Sequence, residues 1–508
     1  MKVNQLKAGT LLSYVSIIIS NVISIIYTPI MLRVMGQNEY GLYGYVSSIV
    51  TNLSILSFGF GGAYIRYYSR YKKEEDKKGL AGLNGLFIIV FSVIGLVALI
   101  LGGLICLFPE QILGSKLTAA EMGEAKILLV IMVVNIAVNF PLSVFNSYVT
   151  ASEKFLYQRL LRIVSKIMNP LITLPLLYMG GGAISVAGVM LGISLFLGIT
   201  DFFVATKKFG MEISFKYADF SLMKEVMPFT FFIFINMIVE QINWAIDKFI
   251  IGRFYGTAMV AIYTIGANLN AYYREFSTSI SSVFTPRINK LVATESGDGE
   301  LTALLTKVGR IQFIFLSLVL TGFILFGEYF VIAWAGGEEY REAYYVAMIL
   351  MIPMTVPLCQ NIAIEIQRAK NRHQFRALVY LVIALFNLAI TLYLCPKYGV
   401  IGSALGTSIA VVVGHIFIMN WFYHCRLGLN MKYYWSNIFH IVPAILIPVA
   451  FGIGMNLAIE TTNVPIFLVK IIVYTAVYVG SMWFLGFNAY EKQLVSGMFT
   501  GFIRKKQR

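Results

Sequence analysis

Charge is scarce in this 508-residue chain: 25 acidic and 40 basic side chains, 13% of the total. Soluble globular domains carry about 25% charged residues, so a water-covered fold of this length is excluded. Cysteine is scarce too. Cys106, Cys359, Cys395 and Cys425 lie far apart, which rules out a disulfide framework and gives no metal-ligand spacing. The four histidines, His373, His415, His424 and His440, form no zinc pattern; His415 reads as an ordinary packed or interfacial histidine, with proton carriage as the other reading. No metal or cofactor is expected. No polar stretch is long enough for a separate soluble domain, and no D-x-D motif occurs. No small-residue cleavage site follows Lys2 and Lys7, so the first apolar run reads as a retained span.

What fills the chain instead is apolar sequence, 58% of residues. Runs of about 20 residues recur along its length, enough to cross a bilayer as helices and too continuous for a β-barrel. The expected fold is an all-α polytopic membrane protein of about fourteen transmembrane helices. They lie near 10–32, 42–64, 84–107, 127–148, 163–179, 183–205, 228–247, 257–283, 309–335, 343–365, 378–395, 400–423, 436–458 and 464–487, with 284–308 as the longest connection. With the N-terminus inside, the outer segments keep only Arg33, Lys116, Lys126, Lys248, Arg253, Arg341 and Lys397, and nearly all other Lys and Arg fall inside. That asymmetry predicts both termini in the cytoplasm. The net charge of +15 is then loop charge facing anionic lipid, not a nucleic-acid footprint.

The chain also repeats itself. Arg33, Gly36 and Tyr43 match Arg253, Gly256 and Tyr263 at one common offset, and Asn169–Leu174 matches Asn387–Leu392 at nearly the same offset. An even number of spans per repeat gives halves of the same orientation. The expected organisation is a six-helix N-terminal lobe (1–205), a cytoplasmic linker (206–227), a six-helix C-terminal lobe (228–425), two additional helices (436–487) and a basic cytoplasmic tail (488–508). Two homologous membrane halves are a common transporter plan, because a cavity between them can open to either side in turn.

Polar residues inside the spans are the candidate site. An ionised side chain near mid-bilayer costs about 2.5–3.5 kcal/mol on insertion scales, so it faces protein or a water-filled cavity. The seventh span carries Asn236, Glu240, Asn243 and Asp247, spaced to share one helix face. The eighth carries Tyr263, Asn270, Arg274, Ser277 and Ser281 by the same rule. Glu240 and Arg274 read either as cavity-lining groups or as a structural ion pair. Arg66 and Arg70, one turn apart, read as guards of a cavity mouth or as part of a solvated turn. Lys470 lines a lipid-facing groove or snorkels. Glu240 and Asp247 are the candidate ion-coupling carboxylates.

Several motifs carry a resemblance. Arg33-x-x-Gly36 precedes Glu39-Tyr40-Gly41-Leu42-Tyr43, and Phe58-Gly-Phe-Gly-Gly-Ala63 precedes Arg66. Glu153-Lys154-Phe155 follows the fourth span, and the second half has Asp247-Lys248-x-Ile-Ile-Gly252 and Ala261-Ile262-Tyr263. From about 5 to 490 the chain resembles the flippases that export O-antigen, capsule or exopolysaccharide repeat units, within the multidrug/oligosaccharidyl-lipid/polysaccharide flippase superfamily. The resemblance implies a MATE-like, V-shaped pair of parallel six-helix lobes that rock between inward-open and outward-open states in the bacterial inner membrane. It implies no enzyme activity, and as cargo a polyprenyl diphosphate-linked glycan. Other implied partners are membrane lipids, a polysaccharide polymerase and other assembly proteins. The diphosphate would be held by Arg274 and Asn270, with Arg66, Arg70 and Lys470 as further contacts. The first span has no basic residue before Arg33, which counts against a lipid-linked peptidoglycan precursor as cargo. A multidrug or toxin exporter of the same superfamily is the main alternative. A membrane enzyme of polysaccharide assembly is a weaker one, since no large loop or carboxylate–metal motif is present.

Overall fold

In a computed structural model the chain is built from long helices. The structure describes residues 5–282, 284–294, 297–370, 372–494 and 496, with the side chains of 5–18, 232 and 373 excepted. Most of the basic tail, 497–508, lies outside the described residues. The helices are α1 (Gln5–Met35), α2 (Gln37–Lys73), α3 (Lys77–Leu107), α4 (Ala119–Ala151), α5 (Phe155–Tyr178) and α6 (Gly182–Lys208). Next come α7 (Leu222–Tyr255), α8 (Thr257–Ser282), α9 (Asp298–Ala335) and α10 (Glu338–Cys359). The apolar stretch Gln374–Cys425 contains a kink at Gly399 (φ 61°, ψ −139°), which parts it into α11 (374–398) and α12 (400–425). The last two are α13 (Met431–Ala458) and α14 (Val464–Gly486).

Among the described residues eleven stretches are long and apolar enough to cross a membrane. Dividing Gln374–Cys425 at Gly399 and adding α1 and α8 gives the expected fourteen spans. α8 is the more polar of these, with Asn268, Asn270, Arg274 and Glu275 crowded into one stretch of it. The expected long connection at 284–308 is largely helical: a helix runs over Thr285–Ala293 and α9 begins at Asp298. That start of α9 is amphipathic. It buries Leu301, Leu304, Leu305 and Val308, and its polar face disguised it as loop.

The residues group into two compact units, one of Met1–Thr264 with Tyr380–Ser403, the other of Ile265–Val379 with Ala404–Arg508. In the first unit α4 is the hub, packed by α2, α3 and α6, while α1 lies along α5. Its core is aromatic, with Phe60, Tyr64, Phe87, Phe91, Phe140 and Tyr148 all buried. Tyr64 donates to Asn84 Oδ1 at 2.6 Å, and Asn84 donates to the Glu212 carbonyl at 2.7 Å, so both of these buried side chains are paired. In the second unit α9 plays the same part, and α13 and α14 dock on it. Tyr478 donates to the Ile314 carbonyl at 2.7 Å and Tyr474 to Thr321 Oγ1 at 2.6 Å.

The repeat has a backbone cause. Gly36 ends α1 and opens α2 at φ 79°, ψ 169°; Gly256 ends α7 and opens α8 at φ 85°, ψ −172°. Each closes the preceding helix by donating to the carbonyl four residues back, at 2.9 Å to Leu32 and 3.0 Å to Gly252. This region of backbone space is open essentially to glycine alone. No atom lies within 4 Å of a Cβ built on Gly36, so the cost of a side chain there is strain and not a clash. Gly36→Ala and Gly256→Ala should each destabilise the protein by about 1–3 kcal/mol. Thermal unfolding in detergent checks this, and two unchanged midpoints would refute it.

Gly41, in the Glu39–Tyr43 motif, is a second special position. A Cβ there would sit 1.9 Å from the Thr257 carbonyl oxygen, so α2 meets the start of α8 backbone to backbone. Gln37 Nε2 donates to the Ala258 carbonyl at 3.3 Å beside it. Glu39 turns the other way and accepts from the Ala183 amide at 2.6 Å, at the N-terminus of α6 where a carboxylate is favoured.

Candidate functional site

The four polar residues of α7 do not share one continuous face. The helix breaks at Ala245 (φ −110°, ψ −34°), between Trp244 and Ile246. The break takes Asp247 out of register with Glu240, a correction to the simple helical spacing. Glu240 is exposed, whereas Asp247 is 1% exposed and accepts a hydrogen bond from the Tyr263 hydroxyl. Asn243 accepts from Asn387 Nδ2 at 3.4 Å, and Thr391 donates to Asn387 Oδ1 at 3.2 Å. These link α7 to α11, as does the Tyr255 hydroxyl on the Pro396 carbonyl at 2.9 Å. Asp247 and Asn243 therefore sit in packed protein, and Glu240 faces open space.

On α8 the stripe divides similarly. Ser277 is fully buried: it donates to the Leu358 carbonyl at 2.8 Å and accepts from Gln312 Nε2 and Asn361 Nδ2, both at 3.0 Å. Tyr273 shares a 2.8 Å hydrogen bond with Thr355. Asn270 is 2% exposed. Arg274 is half-buried between these anchored turns, on a helix fixed to α9 and α10. Glu240 belongs to the first unit and Arg274 to the second.

Arg66 and Arg70 are both exposed on α2. The Arg66 guanidinium lies 4.6 Å from the centre of the Phe229 ring, a cation–π contact. Arg70 reaches Glu74 and Glu225, each at 3.4 Å, pairs exposed enough to contribute little to stability. Lys470 is 2% exposed. Its ammonium donates to Asn456 Oδ1 at 3.0 Å, to Thr461 Oγ1 at 2.8 Å and to the Ile459 carbonyl, tying α14 to the end of α13. Its stem borders an apolar cavity of about 760 Å³ with Phe451, Met455 and Val473. Among the described residues no three of His, Cys, Asp and Glu gather as a metal site.

Two polar constructions were not singled out from sequence. One is a buried ion pair between Arg310 and Glu491. The other is a polar pocket around Asp201, 4% exposed, near the end of α6. A lone aspartate late in an apolar run was the available signal for the second.

A sequence model described as polysaccharide biosynthesis protein matches residues 6–292, more than half of the chain. The chain belongs to the polysaccharide biosynthesis protein family. A protein of Shigella flexneri named as a candidate O-antigen transporter is 18% identical over 394 residues, 77% of this chain and 91% of that one. Among solved structures, the lipid II flippase MurJ in an inward closed conformation superposes with a TM-score of 0.74 at 18% identity, over 93% of this chain and 97% of that one. An inward-facing multidrug resistance MATE family transporter of the MOP superfamily gives 0.63 at 13% identity, over 79% of this chain and 97% of that one. The fold is the all-α, polytopic one of these two transporter structures.

Proposed function

We propose that this polysaccharide biosynthesis family chain is a flippase for polyprenyl diphosphate-linked oligosaccharide, moving it across the bacterial inner membrane by alternating access of two six-helix lobes. Family membership carries the reading. The name of the Shigella flexneri relative, a candidate O-antigen transporter, supports the cargo class. Charge supplies the physics. The diphosphate is the part a bilayer rejects, and a guanidinium holds it through charge-assisted, bidentate hydrogen bonds. Arg274 with Asn270 is the proposed head-group site, and Arg66 and Arg70 serve at the mouth. The half-buried guanidinium on an anchored helix suits binding of a fixed anion. Glu240 and Asp247 are the proposed ion-coupling carboxylates. Both termini lie in the cytoplasm, which fits the basic asymmetry of the loops.

The test is deletion of the gene in its source cells. Lipid-linked oligosaccharide should accumulate in the inner leaflet and surface polysaccharide should disappear, both restored by the wild-type gene. Normal surface polysaccharide in the deletion strain, with no second family member present, would refute the cargo.

A further inference from the structure

The first unit contains a polar pocket that the transport reading does not use. It lies between α4, α5 and α6 and has a volume of about 330 Å³. Asn139, Ser143 and Asn146 line it from α4, Gln158 and Arg162 from α5, and Ser194 and Asp201 from α6. Leu142, Leu161 and Leu197 complete its walls. Gly198 lets α6 close on α4 here, since a Cβ on it would meet Leu142 Cδ1 at 2.4 Å.

Hydrogen bonding gives the wall a direction. Asp201 accepts from the Tyr157 hydroxyl at 2.9 Å and from Asn146 Nδ2 at 3.0 Å, one on each carboxylate oxygen. Asn139 Nδ2 gives both its hydrogens to Asn135, to the carbonyl and to Oδ1, each at 2.8 Å. Gln158 Nε2 gives its own to the Asn146 carbonyl and to Thr150 Oγ1. The amide donors are thus turned into the protein. No hydrogen bond among the described residues occupies the Oδ1 atoms of Asn139 and Asn146 or Oε1 of Gln158. What remains for a ligand is a set of acceptor oxygens around a buried carboxylate, with one guanidinium at the edge.

Such a wall selects a ligand with several donors. Size then decides between a cation and a polyhydroxyl ring. A site holding one ion needs little more than the share of one water, about 30 Å³. The pocket is several times larger and falls at the small end of the range for small-molecule sites, about 300–1,000 Å³. Arg162 at its rim adds positive charge, which opposes a cation and suits a sugar oxygen or carboxylate. The leucines offer surface to ring C–H groups.

We propose that the α4–α5–α6 pocket is a glycan subsite that seats one sugar ring of the carried oligosaccharide, with Asp201, Asn139, Asn146 and Gln158 accepting its hydroxyl hydrogens. It rests on the lipid-linked glycan reading. Recognition here is separate from that of the diphosphate, so glycan and anchor can be told apart in one experiment. The full chain in nanodiscs is titrated with lipid-linked oligosaccharide extracted from the source cells, and with the bare polyprenyl diphosphate made from it. Ser194 makes no hydrogen bond in the wall's network, so Ser194→Phe fills the space without breaking it, and Ser194→Ala is the control. Ser194→Phe should weaken binding of the glycan form by about tenfold or more and leave the bare lipid unchanged. Asp201→Asn, which keeps the volume and loses an acceptor, should weaken the glycan form in the same sense, and Ser194→Ala should stay near wild type. Equal affinity of Ser194→Phe and wild type for the glycan form overturns the subsite. So does binding of sodium alone by the wild type that Asp201→Asn abolishes with glycan affinity intact, which would make the pocket a cation site. Wild-type protein that binds neither form overturns the cargo reading itself.

Discussion

Arg274→Ala should lower glycan export at least about tenfold at normal protein level, while Arg274→Lys keeps part of it. Losing a buried, charge-assisted contact to an anion costs about 2–5 kcal/mol, and each 1.4 kcal/mol is a factor of ten. Lysine preserves the charge but not the planar fork that meets a diphosphate at two points. The surroundings make the variant informative. Ser277 and Tyr273, close to Arg274 on the same helix, are pinned to α9 and α10, so the helix keeps these anchors in the variant. Export is read as surface polysaccharide in complemented deletion cells, with the protein quantified alongside. Full export by Arg274→Ala would remove the residue from the head-group site.

The largest expected effect on stability lies elsewhere, at Arg310. Its Nε donates to Glu491 Oε1 at 2.7 Å and its Nη2 to Oε2 at 2.9 Å, with both side chains over nine-tenths buried. The remaining donors reach the Gly486 carbonyl at 2.8 Å and the Asn437 carbonyl at 2.6 Å. Glu491 is held in turn by the Asn488 backbone amide at 2.9 Å. One guanidinium thus joins α9 to the ends of α13 and α14. Arg310→Ala should destabilise the protein by about 3–5 kcal/mol, because it leaves a carboxylate buried without its charge partner. The double variant Arg310→Met with Glu491→Leu should recover most of that loss, since an apolar pair of similar volume is often nearly neutral. Thermal unfolding monitored by size exclusion reads both. A single variant as stable as wild type, or a double variant no better than the single, would contradict the assignment.

Much of the fold is legible in the sequence because it is encoded locally. Fourteen spans follow from apolar run length, and the boundary near 395–400 is marked by Gly399, whose φ of 61° turns the chain. The repeated Gly36 and Gly256 announce two matching helix junctions, since no other residue adopts that backbone comfortably. The site is less legible. Helical spacing grouped Glu240 with Asp247, but the helix breaks at Ala245, where no proline or glycine marks a break in the sequence. Ser277 looked like a companion of Arg274 and is instead a packing node, because its partners Gln312 and Asn361 are distant in sequence. The same holds for Arg310 and Glu491, which lie 181 residues apart in the sequence and meet only in the fold. Asp201 gives one weak signal, and its partners Tyr157 and Asn146 come from two other helices.

The central claim is that this chain moves a lipid-linked glycan between leaflets. Purified protein in proteoliposomes, loaded with lipid-linked oligosaccharide from the source cells, tests it most directly. Movement between leaflets is read by a sugar-modifying enzyme that cannot cross the bilayer, with proton and sodium gradients imposed in turn. The account predicts transfer well above protein-free vesicles, lost in Arg274→Ala, and reduced gradient stimulation in Glu240→Gln or Asp247→Asn. Transport of cationic drugs by vesicles in which the oligosaccharide lipid stays on its original side would contradict it.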